Sequence, residues 1–66
     1  MIIPKTKQCI IDLKNNWLTI WFNRPEKRNS LSEILVKEIL KTLDFVKQNS
    51  SIRGIIFRGK GNVFCA

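Results

Sequence analysis

The chain has 66 residues, 44% of them hydrophobic and 26% charged, which suits one small folded domain and is too apolar for a disordered segment. Twelve Lys and Arg against five Asp and Glu give a net charge of +7. This charge favours polyanionic partners such as nucleic acid, anionic lipid or phosphate-bearing ligands, although dispersed basic residues are also typical of a basic stretch in a larger protein. Two distant Cys and no His argue against a metal site, and no apolar run reaches the length of a membrane span or signal peptide. We therefore expect a bacterial cytoplasmic or organellar matrix location and not a secreted protein.

The first predicted element is a β-hairpin over about 7–22. Its second half is rich in aromatic and β-branched residues, and Asn15 and Asn16 are typical of a turn because Asn tolerates left-handed backbone. A polar loop over 23–29 follows, since Pro25 cannot continue strand pairing.

An amphipathic helix is predicted over about 30–48. Ser30 as N-cap and Glu33 three residues later fit a capping box, and Glu33 forms an i,i+4 pair with Lys37. The apolar stripe consists of Leu31, Leu35, Ile39, Leu43 and Val46. The opposite, polar face is assigned Lys37, Glu38, Lys41, Asp44 and Lys47.

A third strand is predicted over about 53–58, with three consecutive apolar residues at its centre. Such a strand is typical of a sheet covered on both faces, and one helix covers only one face. We therefore expect the chain to be an incomplete piece of a larger fold that breaks off at Ala66. Cys65 has apolar neighbours and no His to activate it, so we predict a buried structural thiol and not a nucleophile.

Three segments in register carry a family resemblance: IWFNRPEKRNSL at 20–31, the helix leading into IIFRG at 55–59, and NVFCA at 62–66. From residue 7 to the end the chain resembles the start of the enoyl-CoA hydratase/isomerase (crotonase) superfamily. There a strand ends in Asn-Arg-Pro, a Lys/Arg-Asn-Ala-Leu loop opens a helix, and a buried strand leads to Phe-Cys/Ser-Ala-Gly. Ser30 replaces the usual Ala, a change between small residues.

The resemblance implies an α/β fold, namely the β-β-α-β start of a crotonase-like (ClpP/crotonase) spiral, incomplete here, with 1–66 as the N-terminal part of a single domain. It implies an acyl-CoA thioester substrate, most commonly a 2-enoyl-CoA to be hydrated, whose enolate is stabilised by two backbone N–H groups in an oxyanion hole. Coenzyme A then enters as part of the substrate, with no separate cofactor. A homotrimer or hexamer is implied for the full-length protein.

The same resemblance implies CoA-binding roles for Lys27, Arg28 and Ala66. Lys27 and Arg28 lie where relatives place a basic loop near the nucleotide or pantetheine part of CoA, and Ala66 lies where backbone atoms meet CoA near the adenine. Arginine suits phosphate because its planar fork bonds bidentately. No metal ligand is implied. The catalytic residues are expected beyond Ala66, so we expect these 66 residues to be inactive alone.

Other interpretations of the same loop remain open. Arg24, Lys27 and Arg28 also fit an ordinary solvated loop. Arg24 alternatively fits a structural role beside Pro25, and Asn23 and Asn29 fit backbone caps in turns.

Two alternative functions also remain. One is a small basic nucleic-acid-binding domain that uses its strand aromatics as a stacking platform. Against it, the strand at 53–57 lacks the aromatic that an RNA-recognition motif places after its glycine. The other is a fragment without a function of its own. We favour the acyl-CoA enzyme and expect no nucleic-acid partner.

Overall fold

The computed structural model describes residues 3–65, which form a three-stranded sheet with one helix packed on it. The strands are β1 (Cys9–Lys14), β2 (Trp17–Phe22) and β3 (Gly54–Gly59), and the helix is α1 (Glu33–Lys47). A one-turn 3-10 helix at Pro25–Lys27 lies between β2 and α1. The strand order is β1-β2-β3, with β1 antiparallel to β2 and β3 parallel to β2. The predicted α/β class and element order are confirmed.

The β1–β2 turn has the geometry that its two asparagines suggest. Asn15 and Asn16 have φ angles of 53° and 66°, and Lys14 pairs with Trp17 across the turn. Positive φ at both central residues of a two-residue hairpin loop matches the right-handed twist of the strands. The turn therefore fixes the β1–β2 register.

The core lies between α1 and one face of the sheet. Leu18, Ile20 and Phe22 on β2 are 0%, 0% and 6% exposed, and Cys9 and Leu35 complete the buried cluster. Alternate β2 residues point to the other face because side chains along a strand alternate. That second face carries half-exposed apolar side chains, namely those of Ile10, Trp17 and Ile56.

The helix begins two residues later than predicted. Ser32 is the N-cap, and its Oγ accepts a hydrogen bond from the Leu35 N–H at 3.0 Å. The capping box assigned to Ser30 is wrong because the Ser30 N–H donates to the Lys27 carbonyl and holds Ser30 in the loop. Leu31 precedes the helix and is 58% exposed, so it does not belong to the buried stripe.

Glu38 does not lie on the solvent face of the helix as predicted. Its carboxylate accepts hydrogen bonds from the backbone N–H groups of Lys7 and Gln8, at 2.6 and 2.8 Å. These bonds attach α1 to the segment that enters β1. The Glu33–Lys37 pair is confirmed, with Oε1 and Nζ 3.5 Å apart. Within 3–65, no helix has both the length and the apolar character needed to cross a membrane.

Candidate functional site

The loop after β2 is held in a tight conformation by its own backbone. The Lys27 N–H donates to the Arg24 carbonyl and the Arg28 N–H to the Pro25 carbonyl, each at 3.0 Å. Arg28 and Asn29 then adopt left-handed conformations, with φ of 53° and 57°. The Arg24 guanidinium donates to the Ser30 carbonyl at 2.6 Å. Arg24 therefore has the structural role that was one of its two interpretations.

The loop after β3 lies beside this first loop. The Lys60 N–H donates to the Phe22 carbonyl at 2.9 Å, which continues the parallel pairing by one residue. Gly61 follows with a φ of 86°, and a Cβ built on it would lie 3.0 Å from the Pro25 Cβ. The two loops thus approach closely at a position where a glycine avoids both backbone strain and a steric contact.

Asn29 joins the two loops from inside. Its side chain is 0% exposed, its Oδ1 accepts from the Arg24 N–H at 2.8 Å, and its Nδ2 donates to the carbonyls of Lys60 and Val63 at 2.7 and 2.5 Å. The interpretation of Asn29 as a residue that binds backbone is confirmed. Its partners, however, lie more than thirty residues away as well as in its own turn.

A cavity of about 410 Å³ opens between the two loops. The residues that line it come from both loops, and two of them, Arg28 and Lys60, are basic. The full lining is Pro25, Arg28, Lys60, Gly61, Asn62 and Val63. Lys60 also places its Nζ 4.0 Å from the centre of the Trp21 ring, and Arg58 lies 5.2 Å from the same ring. The aromatic face attracts these cations. Each of the two loops therefore contributes one basic residue to the lining of this concave site.

Of the three predicted CoA-binding residues, the structure describes Lys27 and Arg28. Arg28 lines the cavity, and the exposed Lys27 belongs to the same loop but is not among the lining residues. Ala66 lies outside the described residues. Lys60 was missed as a site residue, and the available signal was the basic Gly-Lys-Gly turn directly after a buried-type strand.

Neither cysteine is among the residues that line the cavity. Burial raises the pKa of the Cys9 thiol to about 11, the nearby Glu38 carboxylate adds to the rise, and a hydrogen bond with Thr6 opposes it. Cys65 is exposed, so its predicted burial is wrong, because the segment after β3 lies at the surface. The two thiols are not joined by a disulfide. Within the part of the chain that the structure describes, no group of His, Cys, Asp and Glu is arranged to hold a metal ion.

Comparison with known proteins gives one consistent family. The model of the Enoyl-CoA hydratase/isomerase family matches residues 12–66. The human protein "Enoyl-CoA hydratase domain-containing protein 2, mitochondrial" is 42% identical over 48 residues, which are 71% of this chain and 16% of that protein. "Enoyl-CoA hydratase EchA19" of Mycobacterium tuberculosis is 32% identical over 58 residues, which are 88% of this chain and 22% of that protein.

Solved structures agree with the sequence matches. Enoyl-CoA hydratase from Mycobacterium tuberculosis H37Rv superposes with a TM-score of 0.86 and 32% identity, over 91% of this chain and 27% of that one. An enoyl-CoA hydratase/isomerase from Xanthobacter autotrophicus Py2 gives 0.88 and 26%, over 94% and 23%. The alternative of a nucleic-acid-binding domain receives no support from these matches.

The chain spans about a fifth of the length of the two curated relatives described above. The family model nevertheless matches residues 12–66, and the Xanthobacter autotrophicus structure superposes over 94% of the chain. The chain therefore belongs to the enoyl-CoA hydratase/isomerase family, and its 66 residues correspond to the N-terminal portion of the crotonase superfamily fold.

Proposed function

We propose that these residues form the N-terminal part of an enzyme that processes acyl-CoA thioesters, with hydration of a 2-enoyl-CoA as the reaction. The observation that carries the proposal is the cavity that brings Arg28 and Lys60 together across 32 positions of sequence. Two basic residues from different loops in the lining of one concave site favour an anionic ligand, and CoA carries a pyrophosphate and a 3′-phosphate. The family match supports the thioester part of the proposal.

In this proposal the CoA phosphates lie between the two loops. Arg28 offers a planar guanidinium for bidentate bonding, and Lys60 offers a compact charge held near the Trp21 ring. Lys27, exposed on the first loop, adds positive charge near the entrance. Ala66 contributes backbone contacts near the adenine. Coenzyme A is part of the substrate, and no other cofactor is proposed.

The chemistry is proposed to occur beyond the segment that carries these loops. The two backbone N–H groups of an oxyanion hole stabilise the thioester enolate because they are fixed in place before the negative charge develops. The proton-transferring groups are proposed to lie further along the chain than Ala66. By family resemblance we propose a trimer or hexamer located in the bacterial cytoplasm or an organellar matrix.

The test is Arg28→Ala in the full-length enzyme. Because Arg28 is exposed, solvent screens its bond to a phosphate, and the bond contributes only about 1 kcal/mol to binding. We therefore expect KM for a 2-enoyl-CoA to rise about fivefold, with kcat nearly unchanged. Arg53→Ala is the matched control, since Arg53 is also exposed but precedes β3 at the end of the strand away from the cavity. An unchanged KM for Arg28→Ala would remove the cavity from the CoA site.

A further inference from the structure

The cavity depends on one buried side chain that does not line it. Asn29 is fully buried, and its carboxamide satisfies three backbone groups in two separate segments. Among the described residues no buried side-chain nitrogen or oxygen lacks a hydrogen-bond partner, and in this carboxamide both the oxygen and the nitrogen have partners. A buried polar group with its bonds satisfied fixes a single arrangement of the atoms around it.

The Asn29 bonds span the loop that forms one wall of the cavity. Nδ2 donates to the carbonyl of Lys60 at the start of that loop and to the carbonyl of Val63 at its end. Both acceptors belong to cavity-lining residues. Oδ1 binds the Arg24 N–H at the start of the opposite wall, and Arg28 is the residue directly before Asn29. The carboxamide therefore fixes the separation of the two walls.

Other side chains fit this position poorly. Alanine would leave the Arg24 N–H and two carbonyls without their partner, and an ionised Asp would bring a carboxylate oxygen against two carbonyl oxygens. Space is also restricted, because a Cβ built on Gly59 would lie 3.0 Å from the Asn29 Nδ2 and 2.7 Å from the Phe64 carbonyl oxygen. The position requires one acceptor and two donors at the length of an asparagine.

We infer that Asn29 is the positioning residue of the anion site: it sets the distance between Arg28 and Lys60 so that both cations reach the same phosphate-bearing ligand. This inference rests on the proposed CoA-binding function and adds the residue that determines affinity without touching the ligand. Asn29 acts through the carbonyls of Lys60 and Val63, so its loss weakens binding by letting the second loop move.

The test measures CoA binding to the full-length enzyme by calorimetry for Asn29→Ala and Asn29→Asp, each relative to the wild type at the same pH. Loss of two or three buried hydrogen bonds is expected to weaken binding by about tenfold or more in Asn29→Ala at every pH. Asn29→Asp is expected to bind as weakly near pH 8 and to recover as the pH falls, because a protonated carboxyl group donates one hydrogen bond to a carbonyl. Burial and the two carbonyl oxygens disfavour the carboxylate, whereas the charged residues of the surrounding segments, Arg24, Arg28 and Lys60, favour it, so the recovery is followed from pH 8 downwards.

Asn23→Ala is the matched control, because Asn23 is exposed at the end of β2, and its CoA affinity is expected to stay unchanged. Gly59→Ala supplies a second variant that displaces the same loop while keeping the carboxamide, and we expect weaker binding that does not recover at low pH. The inference would be overturned if the Asn29→Ala variant bound CoA as tightly as the wild type. It would also be overturned if the Asn29→Asp variant folded but did not regain CoA affinity as the pH falls. Wild-type enzyme that fails to bind CoA would instead overturn the proposed function.

Discussion

Leu35 attaches α1 to the sheet, and we predict that Leu35→Ala releases the helix. Its side chain is 0% exposed, and it is the helix member of a buried hydrophobic cluster whose other residues lie on β1 and β2. Truncating a buried leucine to alanine costs about 2–5 kcal/mol. A single core in a chain this short supplies no more than about 3–5 kcal/mol. The substitution is therefore expected to abolish the folded population of the 66-residue chain and not merely to reduce its stability.

Leu40→Ala is the matched control, because Leu40 lies on the same helix and is 57% exposed. Its effect on the free energy of unfolding is expected to stay within about 0.5 kcal/mol. Far-UV circular dichroism measures the helix content during titrations with urea, which unfolds the chain, and with trimethylamine N-oxide, an osmolyte that favours the folded state because it strengthens hydrophobic burial. We expect Leu35→Ala to need the osmolyte to regain helical signal and Leu40→Ala to follow the unsubstituted chain. Equal effects of the two substitutions would refute the packing of α1 through Leu35.

Two further predictions concern groups at the entrance to β1. The pKa of Cys9 is raised from 9.0 to about 11, so between these pH values the folded thiol keeps its proton while the unfolded thiol ionises. The free energy of unfolding should therefore fall between pH 9 and 11. Urea titrations in which the Cys9→Ala variant loses the same stability over that range would contradict this. Glu38→Gln should cost about 1 kcal/mol, because a Gln oxygen cannot replace both carboxylate oxygens that bind Lys7 and Gln8. The control Glu33→Gln removes only an exposed ion pair and should cost less than about 0.5 kcal/mol, and urea titrations giving the reverse order would disprove the role of Glu38.

Local patterns in the sequence predicted the elements of the fold well. Asn15 and Asn16 predicted the hairpin turn because tolerance of the left-handed backbone conformation is a property of the Asn side chain and needs no distant contact. The helix was predicted from its periodicity, but its start was wrong by two residues because two serines compete for the N-cap. Ser32 caps the helix, whereas Ser30 is held in the loop because its N–H donates to the Lys27 carbonyl and its carbonyl accepts from the Arg24 guanidinium.

Features that depend on contacts between distant segments were not predictable in the same way. Glu38 fits a polar helix face by spacing, yet it binds backbone thirty residues earlier. Lys60 becomes a site residue only because the parallel pairing of β2 with β3 carries its loop to Pro25. Arg28, in contrast, was proposed from the family resemblance, and its loop places it in the cavity wall. The CoA-binding role of Arg28 stays a prediction, and its place in the lining together with Lys60 became visible only in the fold.

The most direct test of the central claim compares two thioesters of the same enoyl group, one of CoA and one of pantetheine, in full-length wild-type enzyme and Arg28→Ala. Pantetheine lacks every phosphate of CoA, so a residue that binds phosphate has nothing to lose with that substrate. We predict that Arg28→Ala raises KM about fivefold for the CoA thioester and leaves KM for the pantetheine thioester unchanged. An equal rise with both thioesters, or no rise with either, would contradict a phosphate site between the two loops.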